Sequence, residues 1–288
     1  MFTKITLENF RSFDHIELDL TEKGNTAKHL AILYGENGAG KSNLMSAFVL
    51  LPELTRTMDA RAAYERILAQ GAIFQDENME KEMREHIRQR LRDMSAIIKD
   101  YQMADCENPI IAEYEFNIDG NNGCYRVEFG QDEILHERLE FVLNRRRGLY
   151  FDCSVTGINI NDSIVEKEQG KEFLTDVKEM AKRYWGKHSL LAILIYEMKD
   201  KSNSFGRDNI TENFNVVLNE FRNLSCTVSM GDKSWEGLHA QLKVLNQPLS
   251  GKISLKREHE LDQVEAFFSH FFAMYDPSIR CVTYEKEY

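Results

Sequence analysis

A stretch of eight residues near the N-terminus combines three glycines with a lysine and a serine, and it runs Gly35-Glu36-Asn37-Gly38-Ala39-Gly40-Lys41-Ser42. It fits the spacing of a glycine, four arbitrary residues and then Gly-Lys-Ser. The glycines let the backbone wrap closely around a polyphosphate, and successive amides form a nest for an anion. Lys41 would supply a cation to the β- and γ-phosphates, and Ser42 would supply a hydroxyl ligand for Mg²⁺. The stretch therefore predicts a site for ATP with Mg²⁺.

The segments on either side have the patterns that such a phosphate-binding loop needs. Leu30-Ala31-Ile32-Leu33-Tyr34 is a continuous apolar run, typical of a strand buried on both faces of an α/β sheet. From Lys41 the pattern becomes helical, and we expect Pro52 to break that helix. A helix in this position points its N-terminal amides at bound phosphates. We predict strand, loop and helix in that order.

Strand and helix patterns also divide the rest of the chain. Alternating stretches at 2–7 and 15–20 predict two strands before the loop, and residues 109–160 predict an antiparallel β-meander. Helical patterns fill the segments between and after these strands. The expected domains are a lobe of residues 1–160 with a helical insertion at about 53–104, a helical arm over 161–275, and a strand over 276–288 that returns to the sheet.

Composition narrows the possible partners and location. The chain has 288 residues, a formal net charge of −11 and five scattered cysteines with no pair at metal-binding spacing. No apolar run reaches the roughly 18–20 residues of a membrane span, and the N-terminus enters a strand pattern at once. These features predict a cytoplasmic protein with reduced thiols and no membrane segment. The acidic balance disfavours DNA as a partner, although Arg145 to Arg147 form a local basic run.

Two motifs together resemble the N-terminal region of the SMC/RecF/OLD group of ABC-type ATPases. They are Leu7-Glu8-Asn9-Phe10-Arg11-Ser12-Phe13 and the run from Tyr34 to Leu44. The resemblance is strongest to bacterial AAA-type ATPases of abortive infection and phage defence; it is specific over residues 1–50 and looser beyond. It implies an α/β P-loop NTPase fold of ABC type, with a flanking antiparallel β-meander and a helical insertion or arm.

The resemblance also implies roles for particular residues. Asn37 would approach the nucleotide phosphates, Arg11 would lie near the loop, and Asn43 belongs to the same matched motif. Members of the group use a glutamine to sense the γ-phosphate, and the candidates here are Gln70, Gln75 and Gln131.

Other elements of the group are not recognisable in this sequence. They are a signature sequence, an apolar strand ending in Asp-Glu and a switch histidine. Leu190 to Glu197 is the nearest candidate for the acidic strand, but it lacks the aspartate, and we predict a helix there. The resemblance then implies that residues 1–288 are a nucleotide-binding front portion, completed by a further C-terminal segment or by a partner chain.

Three functions stay open at this point. The first is an ABC-type ATPase that dimerises around ATP and gates a partner, such as a nuclease or toxin effector in bacterial antiphage defence. The second is a DNA-binding or DNA-repair ATPase resembling RecF and SMC proteins, ranked lower because of the acidic balance. The third is a scaffold that senses ATP without hydrolysing it.

Overall fold

The computed structural model describes residues 1–22, 26–36, 38–69, 91–143, 146–199, 201 and 205–225. The chain divides into two compact units, Met1–Gly237 and Leu238–Tyr288, and every described residue belongs to the first. The predicted strand over 276–288 lies outside the described residues, as do residues 70–90 of the predicted helical insertion.

Seven strands form one antiparallel sheet in the order β2-β1-β3-β4-β5-β6-β7. Their bounds are β1 Phe2–Phe10, β2 Phe13–Asp19, β3 Ile110–Ile118, β4 Asn121–Phe129, β5 Ile134–Leu143, β6 Arg146–Ser154 and β7 Gly157–Ile160. The two predicted N-terminal strands and the predicted meander over 109–160 are confirmed.

The register places buried side chains in rows across one face of the sheet, because alternate residues of a strand point to the same side. One such row of strand partners is Ile5, Tyr114, Tyr125, Leu139, Phe151 and Ile160, all of them buried. The neighbouring row on the opposite face is charged and runs Glu113, Arg126, Arg138 and Asp152. Arg126 donates to Glu113 at 3.1 Å and Arg138 donates to Asp152 at 2.9 Å. The sheet therefore has one apolar face and one polar face, the usual pattern of an open antiparallel sheet.

Buried residues of the helices and of the apolar face of the sheet belong to one hydrophobic core. Their bounds are α1 Lys41–Leu54, α2 Thr57–Ala69, α3 Met94–Tyr101, α4 Glu168–Tyr184, α5 Leu190–Lys199, α6 Phe205–Asn209 and α7 Glu212–Asn223. The prediction that Leu190 to Glu197 is helical is confirmed: α5 buries its first six residues, as an apolar core helix does. None of the described helices is long and apolar enough to cross a membrane.

Helix α1 is fixed to the sheet and continues past the predicted break. The hydroxyl of Tyr114 donates to the carbonyl of Ala47 at 2.6 Å in a fully buried contact. Pro52 was expected to end the helix, but it lies inside α1, which continues to Leu54. A proline removes one helical hydrogen bond, and burial of Leu50, Leu51 and Leu54 offsets that cost. The sheet thus positions the helix whose first residue is Lys41.

The predicted buried strand over Leu30–Tyr34 is wrong. This run forms no strand, and Leu30, Ile32 and Tyr34 expose 70%, 73% and 92% of their surface. A strand that is buried on both faces needs neighbours on both edges and cover on both sides. The seven described strands pair only with one another, in one linear order, so none of them pairs with this run. Apolar composition correctly indicated a need for burial, but the described residues do not supply it.

One buried carboxyl group links the sheet to α5. Glu137 on β5 is fully buried and accepts hydrogen bonds from the backbone N–H of Leu190 at 2.7 Å, from Tyr125 Oη at 3.0 Å and from Trp185 Nε1 at 3.0 Å. Burial raises the pKa of Glu137 from 4.5 to about 7, against the lowering effect of these donors. The carboxylate lies at the N-terminus of α5, where a negative charge complements the helix dipole.

This buried group predicts a pH dependence of stability. Because the pKa of Glu137 rises from 4.5 to about 7 on folding, the folded state binds its proton more tightly than the unfolded state. The contribution is complete below the unfolded pKa and is lost as pH rises through the folded pKa, by about 3 kcal/mol at roughly 1.4 kcal/mol per unit. The free energy of unfolding should be measured by urea denaturation from pH 5 to 8, for wild type and for Glu137→Gln.

The wild type should lose stability relative to Glu137→Gln over this range. The amide nitrogen of the glutamine would face hydrogen-bond donors, so the variant should be less stable than wild type at pH 5. The test therefore compares the slopes of the free energy of unfolding against pH for the two proteins. Parallel pH profiles for the two proteins would contradict the assignment.

Candidate functional site

Two glycines of the loop that is predicted to bind phosphate have backbone conformations that other residues resist. Gly38 has φ of 85° and Gly40 has φ of 84°, both in the left-handed region. Gly40 is also the N-cap of α1, and its carbonyl accepts the first helical hydrogen bond from Leu44 at 2.9 Å. The predicted helix after the loop is confirmed, and the loop turns into it through Gly40.

The two glycines differ in the room that each position leaves for a side chain. A Cβ at Gly38 would meet nothing within 4 Å, whereas a Cβ at Gly40 would lie 2.7 Å from Cζ and 2.9 Å from Cε1 of Phe13. Gly38 is therefore needed for its conformation alone. Gly40 is needed for its conformation and for close approach to an aromatic ring.

The ammonium group of Lys41 lies against the loop itself. Nζ donates to the carbonyl of Gly35 at 2.8 Å and to the carbonyl of Glu36 at 2.6 Å. The first turn of α1 contains no acidic residue, so nothing within that turn compensates the positive end of the helix dipole. Ser42, the predicted Mg²⁺ ligand, is exposed in that turn, next to Lys41. A cation, unpaired helix amides and an exposed hydroxyl thus lie together, which suits an anion accompanied by a metal ion.

The tip of the β1–β2 hairpin contacts the junction of loop and helix. Phe10 pairs with Phe13, so Arg11 and Ser12 form a two-residue turn. The side-chain amide of Asn43 donates to Ser12 Oγ at 2.8 Å, and the ring of Phe13 lies against Gly40. The hairpin that carries the first motif therefore meets the loop that carries the second.

Arg11 lies beside this contact, but its guanidinium points elsewhere. Its backbone N–H donates to the carbonyl of Tyr101 at 2.8 Å, and its Cζ stands 5.0 Å from the centroid of the Tyr101 ring. Its Nε is buried and has no hydrogen-bond partner among the described residues. The hydroxyl of Tyr101 donates in turn to Glu53 near the end of α1, at 2.8 Å. The structure thus brings the Arg11 backbone to the hairpin tip and stacks its side chain on α3.

The remaining predicted site residues are only partly placed. Asn37, Gln70 and Gln75 lie outside the described residues. Gln131 is exposed in the turn between β4 and β5. That turn is at the same end of the sheet as the hairpin tip, because β3 pairs its first residues both with the end of β1 and with the end of β4. Ala39 is exposed on the loop, and its N–H donates to the carbonyl of Glu36 at 3.3 Å.

Sequence reasoning assigned no role to three residues of this region, which are Ser12, Phe13 and Tyr101. Two of them stood within the quoted hairpin motif, but a motif shows which residues recur together and not which atoms touch. Tyr101 gave no signal beyond an apolar position in a helical pattern. Its contacts with Arg11 and Glu53 join segments about 90 and 48 positions apart along the chain.

The structure also bears on the acidic strand of a hydrolytic site and on the basic run that could bind DNA. Among the described strands, none ends in adjacent aspartate and glutamate. In the predicted basic run, Arg145 lies outside the described residues, and Arg147 is paired with Glu140 at 2.8 Å. The run is therefore not wholly available to a phosphate backbone.

Comparison with known proteins identifies a family for most of the chain. The family model for the AAA ATPase domain matches residues 1–248. The matched region includes the hairpin, the loop, the sheet and all of the described helices. No curated protein matches the chain significantly.

The two left-handed glycines provide a matched test of the loop geometry. Alanine at either position should cost about 1–2 kcal/mol of stability through backbone strain. Gly40→Ala should cost a further 1–3 kcal/mol, roughly the cost of overpacking, because its Cβ would overlap the ring of Phe13. The measurement is the free energy of unfolding in urea for Gly38→Ala and Gly40→Ala. Equal destabilisation by the two substitutions would show that the contact with Phe13 does not constrain the loop.

Proposed function

This chain belongs to the family of AAA ATPase domains, and we propose that it binds ATP with Mg²⁺ through Gly35 to Ser42. Family membership supports a nucleotide-binding ATPase. The loop sequence, with a left-handed glycine at its junction with a helix, supports the assignment of the triphosphate to this position.

The observation that carries the proposal is the grouping of positive charge at the start of α1. The ammonium of Lys41 and the unpaired amides of the first turn lie together, without an acid in that turn. A triphosphate would accept from these donors through charged oxygens, and such hydrogen bonds are stronger than those to neutral carbonyls. Lys41 would exchange the carbonyls of Gly35 and Glu36 for phosphate oxygens. Ser42 would be a ligand of Mg²⁺.

We assign the finer type to the ABC-type ATPases of the SMC/RecF/OLD group. The hairpin motif and the loop motif support this, and contact between Ser12 and Asn43 shows that the two motifs meet in space. The exposed apolar run over Leu30–Tyr34 supports completion of the lobe by strands other than the seven described. In this proposal the module dimerises around ATP or gates a partner effector, and its setting is bacterial antiphage defence.

A scaffold that senses ATP without hydrolysing it is the second candidate. It is favoured by one observation, which is that none of the described strands ends in an Asp-Glu pair. A DNA-binding ATPase has less support, because the net charge is −11 and Arg147 is already paired with an acid.

Binding of ATP tests the site directly. The dissociation constant for Mg-ATP should be measured by titration calorimetry for wild type, for Lys41→Ala and for Lys28→Ala. Loss of Lys41 should raise the Kd roughly tenfold or more, because hydrogen bonds to charged groups contribute about 1.5–3 kcal/mol each. Lys28→Ala removes the same charge from the exposed segment that precedes the loop, and it should bind like wild type. Equal affinity of wild type and Lys41→Ala would overturn the site.

Phosphate release from the same proteins separates the two candidates. Turnover that disappears in Lys41→Ala supports an ATPase. Tight binding without release by wild type supports the sensing scaffold.

A further inference from the structure

Among the described residues, few backbone contacts fix the position of the loop. The run that leads into it is exposed, and between residues 29 and 39 the described backbone hydrogen bonds outside helices and strands reduce to one, from Ala39 to Glu36. On the other side, the loop enters α1 through Gly40. Its orientation must therefore come from that junction and from whatever holds the junction in place.

The hairpin tip holds the junction from two directions. The ring of Phe13 lies under Gly40, close enough to exclude a Cβ. One turn along α1, the amide of Asn43 is bonded to Ser12 Oγ at 2.8 Å. One contact fixes the residue before the helix, and the other fixes the rotation of the first turn. The unpaired amides, Lys41 and Ser42 all lie between these two points.

The tip is itself well anchored. Strand β1 pairs with β2 on one side and with β3 on the other, and the N–H of Arg11 donates to the carbonyl of Tyr101 at 2.8 Å. Phe13 packs against the main core. The sheet thus provides a rigid support that contacts the junction of loop and helix through Ser12 and Phe13.

We propose that Ser12, Phe13 and Asn43 are positioning residues for the nucleotide loop, and that Asn43 acts by bonding Ser12. The proposal rests on the proposed function, because it assigns residues to that same site. Ser12 is exposed and its bond to Asn43 joins two neutral groups, so the bond contributes little to global stability. Its effect is on the direction of the first-turn donors, and it appears when a triphosphate binds.

A double-mutant cycle in nucleotide affinity tests the coupling between Ser12 and Asn43. Wild type, Ser12→Ala, Asn43→Ala and the double variant of the full chain are titrated with Mg-ATP, and each is also unfolded in urea. Either single substitution should weaken binding by roughly three- to tenfold, the range for one lost hydrogen bond. The double variant should bind like the single variants, because both substitutions break the same bond. The unfolding midpoints should stay close to that of wild type.

Three further variants complete the design. Ser12→Thr keeps the hydroxyl and should retain most of the affinity. Asp14→Ala changes an exposed residue of the same hairpin and should bind like wild type. Phe13→Leu keeps an apolar side chain but removes the ring under Gly40, and it should weaken binding more than it lowers the unfolding midpoint.

The outcomes separate this inference from the function on which it rests. Effects of Ser12→Ala and Asn43→Ala that multiply in the double variant would overturn the coupling, as would wild-type affinity in both single variants. In either case, loss of binding in Lys41→Ala would leave the nucleotide site standing. If wild type itself fails to bind Mg-ATP, the proposed function and this inference both fall.

Discussion

The backbone of Gly40 lies directly against the ring of Phe13, and the arrangement of the loop follows from this contact. Only a residue without a Cβ fits at such a distance, and only such a residue adopts a φ of 84° freely. Through this left-handed residue the chain enters α1, and Lys41 is the first helical residue. An aromatic side chain of the sheet thereby decides where a cation and a set of helix amides are placed.

The far end of α1 is held as firmly as its beginning. Glu53 accepts from Tyr101 Oη at 2.8 Å and from Arg92 Nε at 3.0 Å, and Ser189 Oγ donates to the carbonyl of Leu54 at 2.7 Å. The middle of the helix is fixed by the Tyr114 hydroxyl. Since Tyr101 also contacts the backbone and the guanidinium of Arg11, the hairpin tip and the end of α1 share one aromatic residue as a support. The helix that follows the loop is thus held at its beginning, its middle and its end.

Local sequence patterns predicted the meander and the glycines of the loop. The features that depend on tertiary contacts could not be predicted from the sequence. The meander was evident because alternate residues of each strand face one core, and the glycines were evident because a backbone that wraps phosphate requires them. The apolar run over Leu30–Tyr34 misled, because composition indicates a need for burial without naming the partner that provides it. The stacking of Arg11 on Tyr101 and the hydrogen bonds that Glu137 accepts from Trp185 and Leu190 depend on residues 48 or more positions away. No pattern within a single segment encodes such contacts.

The position of Lys41 bears on the proposed binding of a triphosphate by this loop. Its ammonium already lies over the loop, held by the carbonyls of Gly35 and Glu36. Binding would exchange two neutral acceptors for charged ones, so the gain comes from the difference between the two kinds of hydrogen bond. Because these contacts already restrict the lysine side chain, binding would cost less of its conformational entropy. The same carbonyls that restrain the lysine thus prepare it for an anion, provided that the junction at Gly40 keeps the helix amides pointed at the same place.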